Sequence, residues 1–295
     1  MKSGKPSYTA EVVAYYRAVE SLRPDEQRVC YDPIAMHFLR TGFKLLCRLG
    51  PLVQPIFWLL AERGFPEDVA QSIARTRFID DYVKQCVENG IEQMVILGAG
   101  YDSRAYRIDG VKEKVKVFEI DCLATQIVKK LKLAKLLGCL PTHVTYVPID
   151  FGSDKLERKL YDFGYDKALK TLFIWEGVTY FISSEAIDET LRFVRDNSGK
   201  GSSIIFDYAL DSVLTDDCDS VELSKLKKVL SNIGEPYIFG IKQGCIGDFL
   251  ASRGFCDVVE ATPEFINDAY FKSAKQTRKM SIFFPLAYAT VAPKT

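Results

Sequence analysis

The segment Met94-Val95-Ile96-Leu97-Gly98-Ala99-Gly100 constrains this chain more than any other. A short apolar run that stops at Gly-x-Gly and continues into a helical stretch is a strand feeding a tight turn. Without side chains there, another group can approach the backbone closely. Further runs of the same kind lie at residues 115–120, 144–148, 171–175 and 202–208. The stretches between them at 123–137, 155–161 and 183–196 read as helices. In the last of these Ser183 or Ser184 is the N-cap, Ile187, Leu191 and Val194 share a face, and Gly199 is the stop. Strand and helix in alternation predict parallel βαβ units and an open doubly wound α/β sheet.

The flanks differ. Residues 8 to about 88 read as helical, with one candidate at 11–21. A second is opened by Asp32 and Pro33 and covers 34–39. A third runs from Pro66-Glu67-Asp68 to about Glu88 and is ended by Asn89-Gly90. Beyond Tyr208 the alternation is interrupted by an acidic, turn-like stretch at 211–220, a helix at 221–230 and an extended or loop segment at 235–241. A helix at 247–253 and strands at 256–259 and 281–291 close the chain. The expected organisation is a helical cap at 1–88 and a catalytic core at 89–295, with an inserted lid at about 211–245.

Composition excludes several classes. Lys plus Arg and Asp plus Glu both number 39, so the formal net charge is zero. A general nucleic-acid binder needs excess cation to displace counterions, so no nucleic-acid partner is expected. The 8 cysteines include no pair within four positions, and the two histidines, His37 and His143, are far apart in sequence. No zinc or other metal site is therefore expected, and free thiols in a reducing cytoplasm are. The start is polar, without the apolar core of a signal peptide. The most membrane-like stretch, residues 49–61, contains Pro51 and Pro55 and is shorter than the roughly 20 apolar residues a spanning helix needs. No G-x-S-x-G or G-x-x-x-x-G-K-[ST] occurs, which leaves a hydrolase elbow and a P-loop unsupported.

Chemistry concentrates at the carboxyl ends of the strands. Glu119 and Asp121 end the second, roughly 20 residues past Gly98, where an acid accepts hydrogen bonds from ribose hydroxyls. They share a face if the segment is extended. Asp150 ends the third strand and Glu176 the fourth. In an open parallel sheet these ends border one crevice, so Gly98, Asp121, Asp150 and Glu176 are expected to converge.

With these pieces in place, the chain resembles the leucine carboxyl methyltransferase family of S-adenosylmethionine-dependent methyltransferases, including its bacterial small-molecule O-methyltransferase-like branch. The matching blocks, in family order, are Arg75-Thr76-Arg77-Phe78-Ile79-Asp80-Asp81, then Leu97 to Arg107, then Phe118-Glu119-Ile120-Asp121, then Ile149-Asp150-Phe151, and then Glu176-Gly177-Val178-Thr179-Tyr180-Phe181. The resemblance implies a Rossmann-like class I methyltransferase fold with strand order 3-2-1-4-5-7-6, and S-adenosylmethionine as cofactor. It implies that Arg75 holds the methionine carboxylate, with Arg17 as a second cation. Gly98, with Ala99 and Gly100, would contact the cofactor through backbone, and Asp121 would bind the ribose. Asp150 and Phe151 would flank the adenine, and Glu176 would face the methionine ammonium. Asp102 would cap the helix after the glycine loop.

The acceptor is less constrained. Segments 43–60 and 237–239 are aromatic and aliphatic, which favours a small apolar acceptor. Tyr180 and Tyr208 follow the fourth and fifth strands, and His37 lies in the helical region. None of the three is a strong base, so a carboxylate acceptor, already ionised, is favoured over a hydroxyl. Two rival readings stand beside methyl transfer: an NAD(P)-dependent oxidoreductase, against which Ser103 occupies the third glycine position, and a non-catalytic interaction module on the same fold. Oligomeric state is not legible in the sequence.

Overall fold

The computed structural model describes residues 6–40, 63–150, 154–215, 220–272 and 277–293. Its centre is a seven-stranded sheet of order β3-β2-β1-β4-β5-β7-β6. The strands are β1 Gln93–Leu97, β2 Lys116–Asp121, β3 Val144–Pro148, β4 Thr171–Trp175, β5 Ser203–Asp207, β6 Phe255–Ala261 and β7 Leu286–Val291. The pairs among β1 to β5 are parallel, while β7 runs antiparallel to both β5 and β6. Every residue of β1, β4 and β5 is buried, as expected of strands covered on both faces. The order expected from the resemblance is the order found.

Helices cover both faces. Helix α1 is Tyr8–Glu20, α2 Pro66–Glu88, α3 Arg104–Arg107, α4 Val111–Lys114, α5 Leu123–Leu137 and α6 Leu156–Asp162. They are followed by α7 Ser184–Asp196, α8 Val221–Ile233, α9 Ile246–Ala251 and the short α10 Pro263–Ile266. Local signals fix many of their ends. Ser7, Ser183 and Ser220 each accept a hydrogen bond from a first-turn backbone N–H of α1, α7 and α8. Helix α2 has Pro66 in its first turn, but its N-cap residue, Phe65, has no side-chain bond to offer. The predicted helix at 34–39 is a 3-10 turn, Ala35–Phe38, whose entry is held by Asp32 Oδ1 accepting from the Ile34 and Ala35 N–H groups.

Ile73, Ile79 and Val83 of α2 pack in the same core as Met94, Ile96 and Leu172 of the sheet. Helix α2 therefore packs directly on the sheet. The segment after β5 forms a smaller cluster, in which Val213 and Leu223 pack with Tyr180 and Phe284. Among the described residues no helix is long and apolar enough to cross a membrane. The expectations for residues 43–60, for 49–61 and for Phe151 fall outside the described residues.

Candidate active site

The strand order reverses direction between β1 and β4, and the site lies at their carboxyl ends. Gly98 leaves β1 with φ +68°, and a Cβ there would stand 2.5 Å from Val178 Cγ2. Gly100 has φ +42°, and its Cβ would meet Ala10 of α1 at 3.1 Å. The turn thus requires glycine twice, for its backbone conformation and for the close approach of its neighbours. Ser103, at the third glycine position, accepts a hydrogen bond from Arg107 Nε at 2.8 Å.

Asp121 closes the turn from β2. Its Oδ2 accepts the Gly100 N–H at 2.6 Å and its Oδ1 accepts the Cys122 N–H at 2.7 Å. Burial pushes its carboxyl up from the ordinary range against these bonds. Glu119 lies one alternation earlier on the strand, as expected, but it is fully buried. Its Oε2 is 2.6 Å from Lys129 Nζ, and its Oε1 accepts from the Tyr106 hydroxyl at 2.7 Å. The two acids therefore part company: Asp121 belongs to the glycine turn and Glu119 to an internal ion pair. Asp150 is exposed at the end of β3.

A continuous ionic network occupies the β1–β4–β5 side. Arg75, on α2, donates from Nε to Glu176 Oε1 at 2.9 Å and from Nη1 to Asp207 Oδ2 at 2.6 Å. The same Nη1 donates to the Tyr180 hydroxyl at 3.2 Å. Glu176 Oε2 accepts from Arg104 at 2.6 Å, and Asp80 pairs with both Arg104 and Arg107. Arg107 lies 3.7 Å from Asp32, which in turn pairs with Arg17 at 2.9 Å. Asp102 Oδ1 accepts the Arg104 N–H at 2.7 Å, across Ser103, the residue at the helix N-cap, whose own side chain makes no cap bond. With Asp102 included, four arginines meet five acids, all with side chains at most 10% exposed. Burial works against the charged form of Glu176, but Arg104 and then Arg75 outweigh it and hold its carboxyl at about 2.

The predicted residues therefore divide. Arg17, Arg75, Gly98, Ala99, Gly100, Asp121 and Glu176 gather around the turn. Arg17 reaches it by donating from Nη2 to the Tyr101 carbonyl at 2.6 Å. Arg75, expected to receive a carboxylate from a ligand, has Nε and Nη1 engaged with the protein's own acids. Tyr180 sits beside Asp207, whereas Tyr208 is turned to the other side of the sheet, where its hydroxyl donates to Glu260 at 2.7 Å. His37 sits on the 3-10 turn, half-buried. Sequence reasoning missed Asp207, which is fully buried and also accepts the Gly177 N–H at 2.7 Å. Its signal was present: it is the acid ending β5, as Asp121 and Glu176 end β2 and β4. Arg104, Arg107 and Asp80 stood inside the motif blocks without an assigned role.

These residues suit S-adenosylmethionine. The turn leaves no room for a Cβ, an acid stands at the end of β2, and the network carries a formal excess of one negative charge next to where a cationic ligand would lie.

The comparisons agree. The leucine carboxyl methyltransferase family model matches residues 10–195. A candidate S-adenosyl-L-methionine-dependent methyltransferase of Bacillus subtilis, YktD, is 28% identical over 309 residues, covering 100% of both chains. A relative of the same description from Mycobacterium sp. (strain KMS) is 35% identical over 219 residues, covering 71% of this chain and 68% of its own. Among solved structures, a DUF574 family protein from Streptomyces avermitilis superposes with a TM-score of 0.61 at 13% identity, covering 98% of both chains. A candidate methyltransferase from Thermobifida fusca gives 0.58 at 12%, covering 98% of this chain and 96% of its own. At such identities these two structures bear on the fold alone. The chain belongs to the leucine carboxyl methyltransferase family of S-adenosylmethionine-dependent methyltransferases.

Proposed function

We propose that the protein transfers the methyl group of S-adenosylmethionine to an oxygen of a small, largely apolar acceptor. The observation that carries this reading is the glycine turn, clamped by Asp121 on one side and flanked by the Glu176–Arg75–Asp207 group on the other. Asp121 is the acceptor for the ribose hydroxyls, and the backbone of Gly98, Ala99 and Gly100 lies against the ligand. Glu176 and Asp207 supply the negative charge facing an ammonium, and Asp150 borders the adenine. Arg75 holds Glu176 and Asp207 in place and, with Arg17, which pairs with Asp32, supplies the positive field for the methionine carboxylate.

When bound, the cofactor supplies a methyl group already activated by a positively charged sulfur. The protein's part is then to align an acceptor oxygen and to exclude water, and positioning of this kind supplies much of a rate acceleration. Calorimetry with S-adenosylmethionine, run beside NAD(P)H, tests the reading. Micromolar to low-millimolar binding of the first and none of the second is expected. The reverse result would give the oxidoreductase alternative instead, and binding of neither would leave an interaction module.

A further inference from the structure

Helix α5, Leu123–Leu137, begins just past Asp121, beside the glycine turn. Its inner face is fixed by the fold. Thr125, Gln126, Lys129 and Leu133 are buried. Gln126 Nε2 donates to the Glu119 and Val147 carbonyls at 2.9 and 3.0 Å, Lys129 pairs with Glu119, and Leu133 packs with Phe38 and Tyr101. Residues three and four apart share a helix face, so the inner set dictates the outer one. On the outer face Leu123 is 58% exposed, Ile127 49% and Leu131 68%. At about 1.5 Å of rise per residue these three side chains form a row about 12 Å long.

Lysine borders this row. Lys130 and Lys135 are both exposed and lie on either side of it by helical spacing. No Asp or Glu occurs in the chain between Asp121 and Asp150, so no acid on the helix offsets them. The protein as a whole has a formal net charge of zero, which makes this a local cationic face and not a general excess. Composition indicates what such a face meets. Contact surfaces between proteins are enriched in aromatic residues, Met and Arg and depleted in Lys. The row on α5 holds only Leu and Ile, and its charged border is lysine alone. That is the pattern of a helix lying in the interface of an anionic bilayer. Aliphatic side chains enter the acyl boundary there, while flexible lysine stems carry their ammonium groups to the lipid phosphates.

We propose that the outer face of α5 docks on an anionic phospholipid surface, with Leu123, Ile127 and Leu131 inserted and Lys130 and Lys135 on the headgroups. The proposal does not rest on the methyl-transfer reading. Because α5 starts beside Asp121, docking brings the carboxyl end of β2 to the bilayer.

The test is flotation of the full chain with vesicles of equal parts phosphatidylglycerol and phosphatidylcholine, beside vesicles of phosphatidylcholine alone. Partitioning onto the anionic vesicles should exceed that onto the neutral ones by about tenfold or more, the share of two lysines near a charged surface. It should fall as salt is raised toward about 1 M, where charges are screened within about 3 Å. Ile127→Glu and Leu131→Glu should each weaken partitioning at least about tenfold, the share of one inserted aliphatic side chain. Lys130→Glu combined with Lys135→Glu should abolish the preference for anionic vesicles. All these variants should melt within a few degrees of the parent, as outward-facing substitutions do. Equal partitioning onto both vesicles, none onto either, or partitioning unchanged in Leu131→Glu would each overturn the proposal. So would a large fall in the melting temperature of Leu131→Glu, which would show that the chain itself covers this face. Self-association, or retention of an acidic protein, that Leu131→Glu removes and that occurs without vesicle binding would give the face to a second copy or a protein partner, and would overturn the proposal as well.

Discussion

Arg75 Nη1 lies 2.6 Å from Asp207 Oδ2, and this contact joins α2 to the end of β5 through two side chains that are almost wholly inaccessible to water. A buried pair of this kind is retained only when further hydrogen bonds satisfy both partners. Glu176 and Tyr180 do so for the guanidinium, and the Gly177 N–H does so for the carboxylate.

Asp207→Asn leaves Arg75 short of an anion inside the protein. Breaking one partner of a buried pair costs about 3–5 kcal/mol, so urea unfolding should show a loss of this size. Arg75→Lys keeps the charge but cannot bridge Glu176 and Asp207 with one planar fork, and both stability and cofactor affinity should fall. Unchanged affinity in a destabilised Arg75→Lys variant would place the residue in the scaffold alone.

Asp121 and Glu119 should respond differently. Asp121→Ala removes an acceptor of charge-assisted hydrogen bonds, worth about 1.5–3 kcal/mol, so cofactor binding should weaken about tenfold or more. Glu119→Ala strands Lys129 and should act chiefly on stability. Calorimetry and melting curves on the two variants check this, and the opposite pattern would make Glu119 the ribose acid.

Gly98→Ala should both strain the backbone and clash. The left-handed conformation costs a non-glycine residue about 1–2 kcal/mol, and the new Cβ would stand 2.5 Å from Val178 Cγ2. Adding Val178→Ala should recover the steric part and leave the conformational part. Melting temperatures of the single and double variants separate the two.

Glu176 sets an acid limit on stability. Its folded carboxyl is held at about 2 against an ordinary 4.5, so between these values the unfolded chain binds the proton and the folded one does not. The stabilisation is complete above about pH 5 and is lost as pH falls toward 2, at ~1.4 kcal/mol per unit. Glu176→Gln should flatten the fall of stability with pH across that window in denaturant titrations.

Glu222 supplies from α8 the cap that Phe65 does not give α2, accepting from the Glu67 and Asp68 N–H groups at 2.9 and 3.0 Å. Losing a cap costs about 0.5–2 kcal/mol, so Glu222→Ala should destabilise the protein by that amount in urea unfolding.

What the sequence determined by itself was everything written in local pattern. Strands β1, β3 and β4 and helix α5 were legible residue for residue, because apolar periodicity and punctuation by glycine, proline and serine are properties of neighbouring residues. The glycine turn and the acids at the ends of β2, β3 and β4 were legible for the same reason, and the family resemblance supplied the strand order. Tertiary structure decided which charged groups meet. Nothing local distinguishes Asp121, clamped to the Gly100 N–H, from Glu119, buried on Lys129 two positions earlier. Nothing local says that Asp207 rather than Tyr208 faces Arg75, 132 positions away in the chain. Nor could the sequence show that Glu222, 155 positions from Glu67, caps α2. Such pairings depend on distances between side chains brought together by the whole fold, and the energy of a buried charge is set by those few ångströms.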